Sequence, residues 1–152
     1  MGNRYMTWLA LVLLLSVAVP VAAQQKAEPA EFSTAVVESL MRQFRNGLIA
    51  GNADTVLSAF DSEQLPGYDG FAGQLRSFLN TWGNIRVYYQ IVQVEPAATG
   101  DGGAAQVQFE MEGDDVQSRL PPMRRGAQLQ LSIQRTDKGW KIVSFSPREL
   151  FQ

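Results

Sequence analysis

The chain has no cysteine and no histidine among its 152 residues. The first absence removes disulfides, thiolate nucleophiles and any lipid attached through a cysteine beside a cleavage site. The second removes the Ser-His-Asp and Cys-His arrangements and the His-x-x-x-His helix that holds zinc. Charge is sparse as well. The 13 basic residues face 15 acidic ones, a net of −2 at pH 7. That balance provides no basic field for nucleic acid and no polybasic stripe for anionic lipid. No glycine-rich phosphate loop is present: Gly100-Asp101-Gly102-Gly103 lacks a following helix and lysine, and reads as a connection between strands.

The apolar run near the start is of a different kind. Arg4 gives a short positive region, and Trp8 to Val19 is apolar except for Ser16. Pro20 breaks any helix, and Val21-Ala22-Ala23 places small residues where a signal peptidase reads. Residues 1–23 are therefore predicted to be a signal peptide cleaved near Ala23-Gln24, with the product periplasmic or extracellular. The rival is an uncleaved anchor holding an accessory domain at the membrane. The run falls short of the roughly 20 residues that span a hydrocarbon core, so the mature form is expected to carry no membrane segment. Residues 24–31 are polar, contain Pro29, and read as a flexible leader. Residues 32–152 read as one domain, long enough to bury one core.

Helical periodicity opens that domain. Phe32, Val36, Leu40, Met41, Phe44, Leu48 and Ile49 recur at three- and four-residue steps, with Ser33 as N-cap and Gly51 as terminator. Asn52 is placed to cap a short helix over 53–60. The turn signals Pro66-Gly67 and Asp69-Gly70 mark a loop over 61–70, and a third helix is predicted from Phe71 to Trp82. Alternation then changes to period two. Strands are predicted over 85–94, with a β-bulge where the phase slips at Ile91-Val92, and over 104–112, 125–135 and 140–146. A long loop is expected over 113–124, a hairpin turn at 136–139, and an apolar tail at Leu150-Phe151.

Helices first and strands afterwards predict an α+β domain: three N-terminal helices packed on a curved four-stranded antiparallel sheet. Each clean strand has an aliphatic side for the helices and a glutamine-rich side facing away. Four features sit in this order: a long amphipathic helix, a short one after Gly51-Asn52-Ala53-Asp54, a third ending in Trp82, and a closing strand Gly139-Trp140-Lys141-Ile142-Val143. With those features the chain over about 32–151 resembles the nuclear transport factor two-like superfamily, which includes ketosteroid isomerase and SnoaL-like cyclases. The resemblance implies a cone-shaped, cystatin-like roll with a pocket at its open end and dimers formed through the outer sheet face. It implies no single function, because the fold hosts enzymes and binding modules alike.

The residues argue against catalysis. The His-Asp pair of SnoaL-like cyclases is missing. The inward positions Ala105, Val107, Phe109, Met111, Ala127, Leu129, Leu131 and Ile133 cannot take a proton, so the sheet-borne acids of the isomerase have no counterpart there. Glu112, Asp114 and Asp115 read as a solvated acidic turn without calcium-loop spacing. No catalytic residue, metal ligand or cofactor is assigned. The candidate pocket or rim residues are Tyr68, Asp69, Trp82, Tyr89 and Arg119. The Arg119, Arg124 and Arg125 cluster beside Pro121-Pro122 reads as a solvated loop, with a rim that greets an anionic group as the alternative. The candidate interface is Arg86, Tyr88, Gln106, Gln108, Gln128 and Gln130. The expected activity is noncatalytic binding, of a small apolar ligand or of a protein partner such as a second copy of the chain. The rival is an isomerase- or hydrolase-like enzyme working through a carboxylate and a tyrosine.

Overall fold

The computed structural model describes residues 31–152. The predicted signal peptide and nearly all of the predicted leader lie outside the described residues. No helix among the described residues is long and apolar enough to cross a membrane.

Helix α1 spans Thr34–Ile49 and buries Val36, Val37, Leu40, Met41, Phe44 and Leu48. Ser33 is the N-cap by position, but its side chain makes no capping bond. Ile49, expected in the buried set, is 44% exposed. At 3.6 residues per turn it lies about 140° round the helix from Phe44, off the apolar face. Helix α2, Ala53–Leu57, is capped as predicted, with the Asn52 side chain accepting from the Thr55 amide at 3.0 Å. It stops short of the predicted Phe60, which instead forms an isolated parallel bridge to Ile142. Gly47 explains how closely α1 and α2 approach: a Cβ there would sit 2.6 Å from a Val56 methyl and 2.7 Å from the Val56 amide nitrogen.

Helix α3 runs Tyr68–Thr81, three residues earlier than predicted. Gly67 takes the left-handed conformation, φ 68°, that starts it. Asp69-Gly70 is therefore not a turn. Asp69 occupies the first helical turn, where its charge suits the helix dipole. Trp82 is correspondingly the first residue of a strand rather than the last of a helix.

The sheet is antiparallel in the order β1-β2-β3-β4. Its strands are β1 Trp82–Pro96, β2 Gly102–Asp115, β3 Met123–Thr136 and β4 Gly139–Ser146. The register shift at Ile91/Gln93 confirms the β1 bulge. Val92 is the extra residue and is 55% exposed, so the apolar set resumes at Val94 and not at Val92. A second shift at Gly83/Arg86 and a third at Ser132/Ile133 bend the sheet further. The predicted 113–124 loop is shorter than expected: β2 continues through Asp115 and β3 resumes at Met123. The margin of β4 is covered by residues 59–61, through bonds between the Asp61 amide and the Ile142 carbonyl at 3.0 Å and the Ile142 amide and the Ala59 carbonyl at 2.9 Å. The tail closes with a 3-10 turn, η1, Glu149–Phe151, whose Leu150 and Phe151 are buried.

Candidate functional site

Phenylalanine fills the enclosure between helices and sheet. Phe71 lies 5.0 Å from Phe60 and 4.8 Å from Phe145, both edge to face or tilted. Phe44 meets Phe60 at 5.9 Å and Phe109 at 5.6 Å. Phe151, from η1, reaches Phe44 at 6.0 Å, Phe71 at 5.9 Å and Phe78 at 5.5 Å. Such pairs add about 0.5–1.5 kcal/mol each beyond area burial. The tail is held in place by Arg125 Nη1 donating to the Leu150 carbonyl at 2.8 Å, and by Arg148 Nη1 donating to the Pro66 carbonyl at 2.6 Å.

Asp115 is the one buried charged residue among the described residues. Its Oδ1 accepts the Gln117 amide at 3.0 Å, and its Oδ2 accepts the amides of Arg119 at 2.7 Å and Leu120 at 2.9 Å. The Gln117 bond is the strongest influence holding its carboxyl below the usual carboxylate range. Burial pulls the other way, and the Arg119 and Leu120 amides reinforce the lowering. A carboxylate so occupied organises the β2–β3 loop and makes a poor proton acceptor for a substrate.

The cleft at the mouth of the cone lies beside the tail, between α3, the start of β1 and β3. Its volume is about 380 Å³. Phe78, Trp82, Leu120 and Phe151 supply carbon walls, Gln74, Ser77 and Thr81 supply polar groups, and Arg125 supplies a charge. Thr81 Oγ1 donates to the Ser77 carbonyl at 3.1 Å. The Arg125 guanidinium sits 5.5 Å from the Phe78 ring centre, which orients it across the cleft. No aspartate or glutamate lines this cleft. An arrangement of this kind can hold an apolar body and accept one oxygen or anionic group at Arg125. It has no side chain suited to removing a proton near neutral pH.

Of the predicted rim residues, Trp82 lines this mouth. Tyr68 is half-buried against the core and Asp69 is exposed on α3. Tyr89 lines a separate cleft between α1 and β1, with Thr34, Glu38 and Val94. Arg119 is exposed, its Nε 4.0 Å from Asp115 Oδ2. Arg125, named in the sequence beside Arg119 and Arg124, is the arginine that reaches the mouth. Gln74 and Ser77 were not foreseen; Gln74 lies one helical turn before Phe78 and Ser77 one turn after Gln74, the spacing that could have found them.

The predicted interface residues share the outer face of the sheet. Tyr88 is 60% exposed. Register aligns Gln90, Gln108 and Gln128 in one row, and Gln93, Gln106 and Gln130 in the next. Gln128 Nε2 donates to Gln106 Oε1 at 2.9 Å. Charges gather at one end, where Arg86 pairs with Glu112 at 3.4 Å and Arg124 with Glu110 at 3.6 Å.

No family model matches the sequence, and no curated protein matches it. Solved structures do match in shape. A conserved protein from Planctomyces limnophilus superimposes with a TM-score of 0.64 at 6% identity, covering 74% of this chain and 92% of its own. A putative scytalone dehydratase from Novosphingobium aromaticivorans gives 0.63 at 10% identity, covering 73% and 79%. A nuclear transport factor two-like superfamily protein from Salmonella enterica gives 0.62 at 9% identity, covering 72% and 87%. The described domain has the nuclear transport factor two-like fold.

Proposed function

We propose that the chain is an exported, noncatalytic binding domain that takes a small, mainly apolar ligand at the mouth of its cone. One observation carries this reading: the mouth joins Phe78, Trp82, Leu120 and Phe151 to a single guanidinium, without an aspartate or glutamate side chain in the lining. The names of several shape relatives are those of enzymes, the dehydratase above among them. Proton-transfer chemistry of the carboxylate-and-tyrosine kind would need those side chains here, and the lining holds no aspartate, glutamate or tyrosine side chain.

The test uses anilinonaphthalene sulfonate, an apolar anion that fluoresces on leaving water. One saturable site is expected, weakened at least tenfold in Leu120→Asp, which alters an exposed wall. Absence of saturation, or equal affinity in that variant, rejects the mouth as the site. Export is checked by the intact mass of secreted protein, expected to begin at Gln24. A mass that retains residues 1–23 favours the anchored form.

A second reading has its own support. Tyr88 stands exposed opposite Glu110, between the Gln90-Gln108-Gln128 row and the charged row of Arg86, Glu112 and Arg124, the type of amphipathic anchor that interfaces use. Pairing of two copies through this face would appear as a dimer in sedimentation at micromolar protein, and Tyr88→Lys would return it to monomer.

A further inference from the structure

We propose that the groove between α1 and the outer margin of β1 binds a short, apolar peptide, taken up as an antiparallel strand with both charged ends held. β1 is the outermost strand on its side of the sheet. In an antiparallel pair, alternate residues turn both backbone groups toward the neighbouring strand and the others turn theirs away. Arg45 Nε donates to the Val87 carbonyl at 3.3 Å, so Val87 belongs to the set turned away from β2. Tyr89 and Ile91 share its parity, and Val94 resumes the set after the bulge at Val92. Among the described residues, nothing beyond the sheet bonds the backbone of Tyr89, Ile91 or Val94. A strand laid along this margin meets their open N–H and C=O groups, which is how sheet edges take up extended peptides.

The groove has a volume of about 450 Å³. Tyr89, Ile91 and Val94 form its floor, and each is only partly buried. Val92, 55% exposed, borders it. Apolar surface is thus left for a ligand to cover. Thr34 and Glu38, one helical turn apart on α1, form the wall, and Glu38 supplies the one charge in the lining. Charge changes sign along the groove, because α1 runs opposite to β1: Arg45 meets Val87, whereas Thr34 and Glu38 meet residues 89–94. Arg42 lies between Glu38 and Arg45 on α1, while Glu31 and Glu95 lie toward the Val94 end. Neither Glu38 nor Arg45 makes an ion pair among the described residues. A peptide antiparallel to β1 has its amino end beside Val94 and its carboxyl end beside Val87. Glu38 then receives the ammonium and Arg45 the carboxylate. A parallel peptide would reverse both ends and meet like charges. Seven positions separate Glu38 from Arg45, about 10 Å of helix. An extended chain covers that distance in about three residues, so the ligand is a tripeptide or tetrapeptide.

The groove is separate from the mouth, and its test keeps the two apart. The tetrapeptide alanyl-valyl-threonyl-valine, with free ends, is titrated into the purified protein and followed by NMR and amide hydrogen exchange. Saturating shifts are expected at Glu38 and residues 89–94, with exchange of the Tyr89, Ile91 and Val94 amides slowed at least tenfold. Acetylating the amino end should weaken binding at least tenfold in the parent and not at all in Glu38→Gln. Amidating the carboxyl end should do the same in the parent and nothing in Arg45→Gln. Both variants change exposed side chains, so the fold is retained. Leu120→Asp, at the mouth, should bind the peptide as the parent does. The proposal is overturned if no shift saturates, if the shifts centre on Trp82, or if the doubly capped peptide binds as tightly as the free one. It is overturned equally if the three amides are already protected in the free protein, by a second copy or by another part of the chain.

Discussion

On β2, Ala105, Val107, Phe109 and Met111 are at most 2% exposed, while their neighbours Gln108 and Glu110 face water. The two sides of this one strand differ in what they tolerate. Inside, shape decides: rings meet at 4.8–6.0 Å and backbones touch where Gly47 has no side chain. Outside, amide side chains form rows that water could replace at small cost. The inner side therefore fixes the fold. The cleft beside the tail lies at the edge of that packing.

Substitutions can break or sharpen that contrast. Phe71→Ala removes the ring that joins Phe60, Phe145 and Phe151, and should cost about 3–5 kcal/mol in urea unfolding. Gly47→Ala drives a methyl into the Val56 backbone and should cost about 1–3 kcal/mol by the same measurement.

Asp115 tests the inside under acid. Its native carboxyl titrates below its ordinary value, so the stability it gives is fully present above about pH 4 and is lost as pH falls through the lower native value. Acid unfolding of the parent should therefore be steeper than that of Asp115→Asn, which cannot gain this proton. Circular dichroism between pH 5 and pH 2 reads the difference.

The outer surface should respond weakly, and at one place favourably. Gly73, exposed on α3 with open space around it, should accept alanine with a gain of about 0.5–1 kcal/mol in thermal unfolding. Gln108→Ala should change stability by less than about 0.5 kcal/mol. A larger loss for Gln108→Ala, dependent on protein concentration, would show that the outer face is covered by a partner in solution.

The strand alternation and the helix periods were legible because each follows from local chemistry. Gln106, Gln108, Gln128 and Gln130 could be placed outward from parity alone, and the bulge at Val92 from the slip in phase. The start of α3 was misread because Asp69-Gly70 has turn chemistry, whereas Gly67 takes the left-handed conformation that opens the helix. The site was less legible still. Arg125 and Arg119 look alike in the sequence. Continuation of β3 to Met123 carries Arg125 into the fold, while the Asp115 cap leaves Arg119 in water.

The stitching of β4 to residues 59–61 interrupts an edge that would otherwise offer its backbone to another strand. The sheet has two margins, and among the described residues the β4 margin is occupied at Ile142, in the middle of the strand. A strand arriving at that edge would have to displace the 59–61 segment before it could pair along the length of β4.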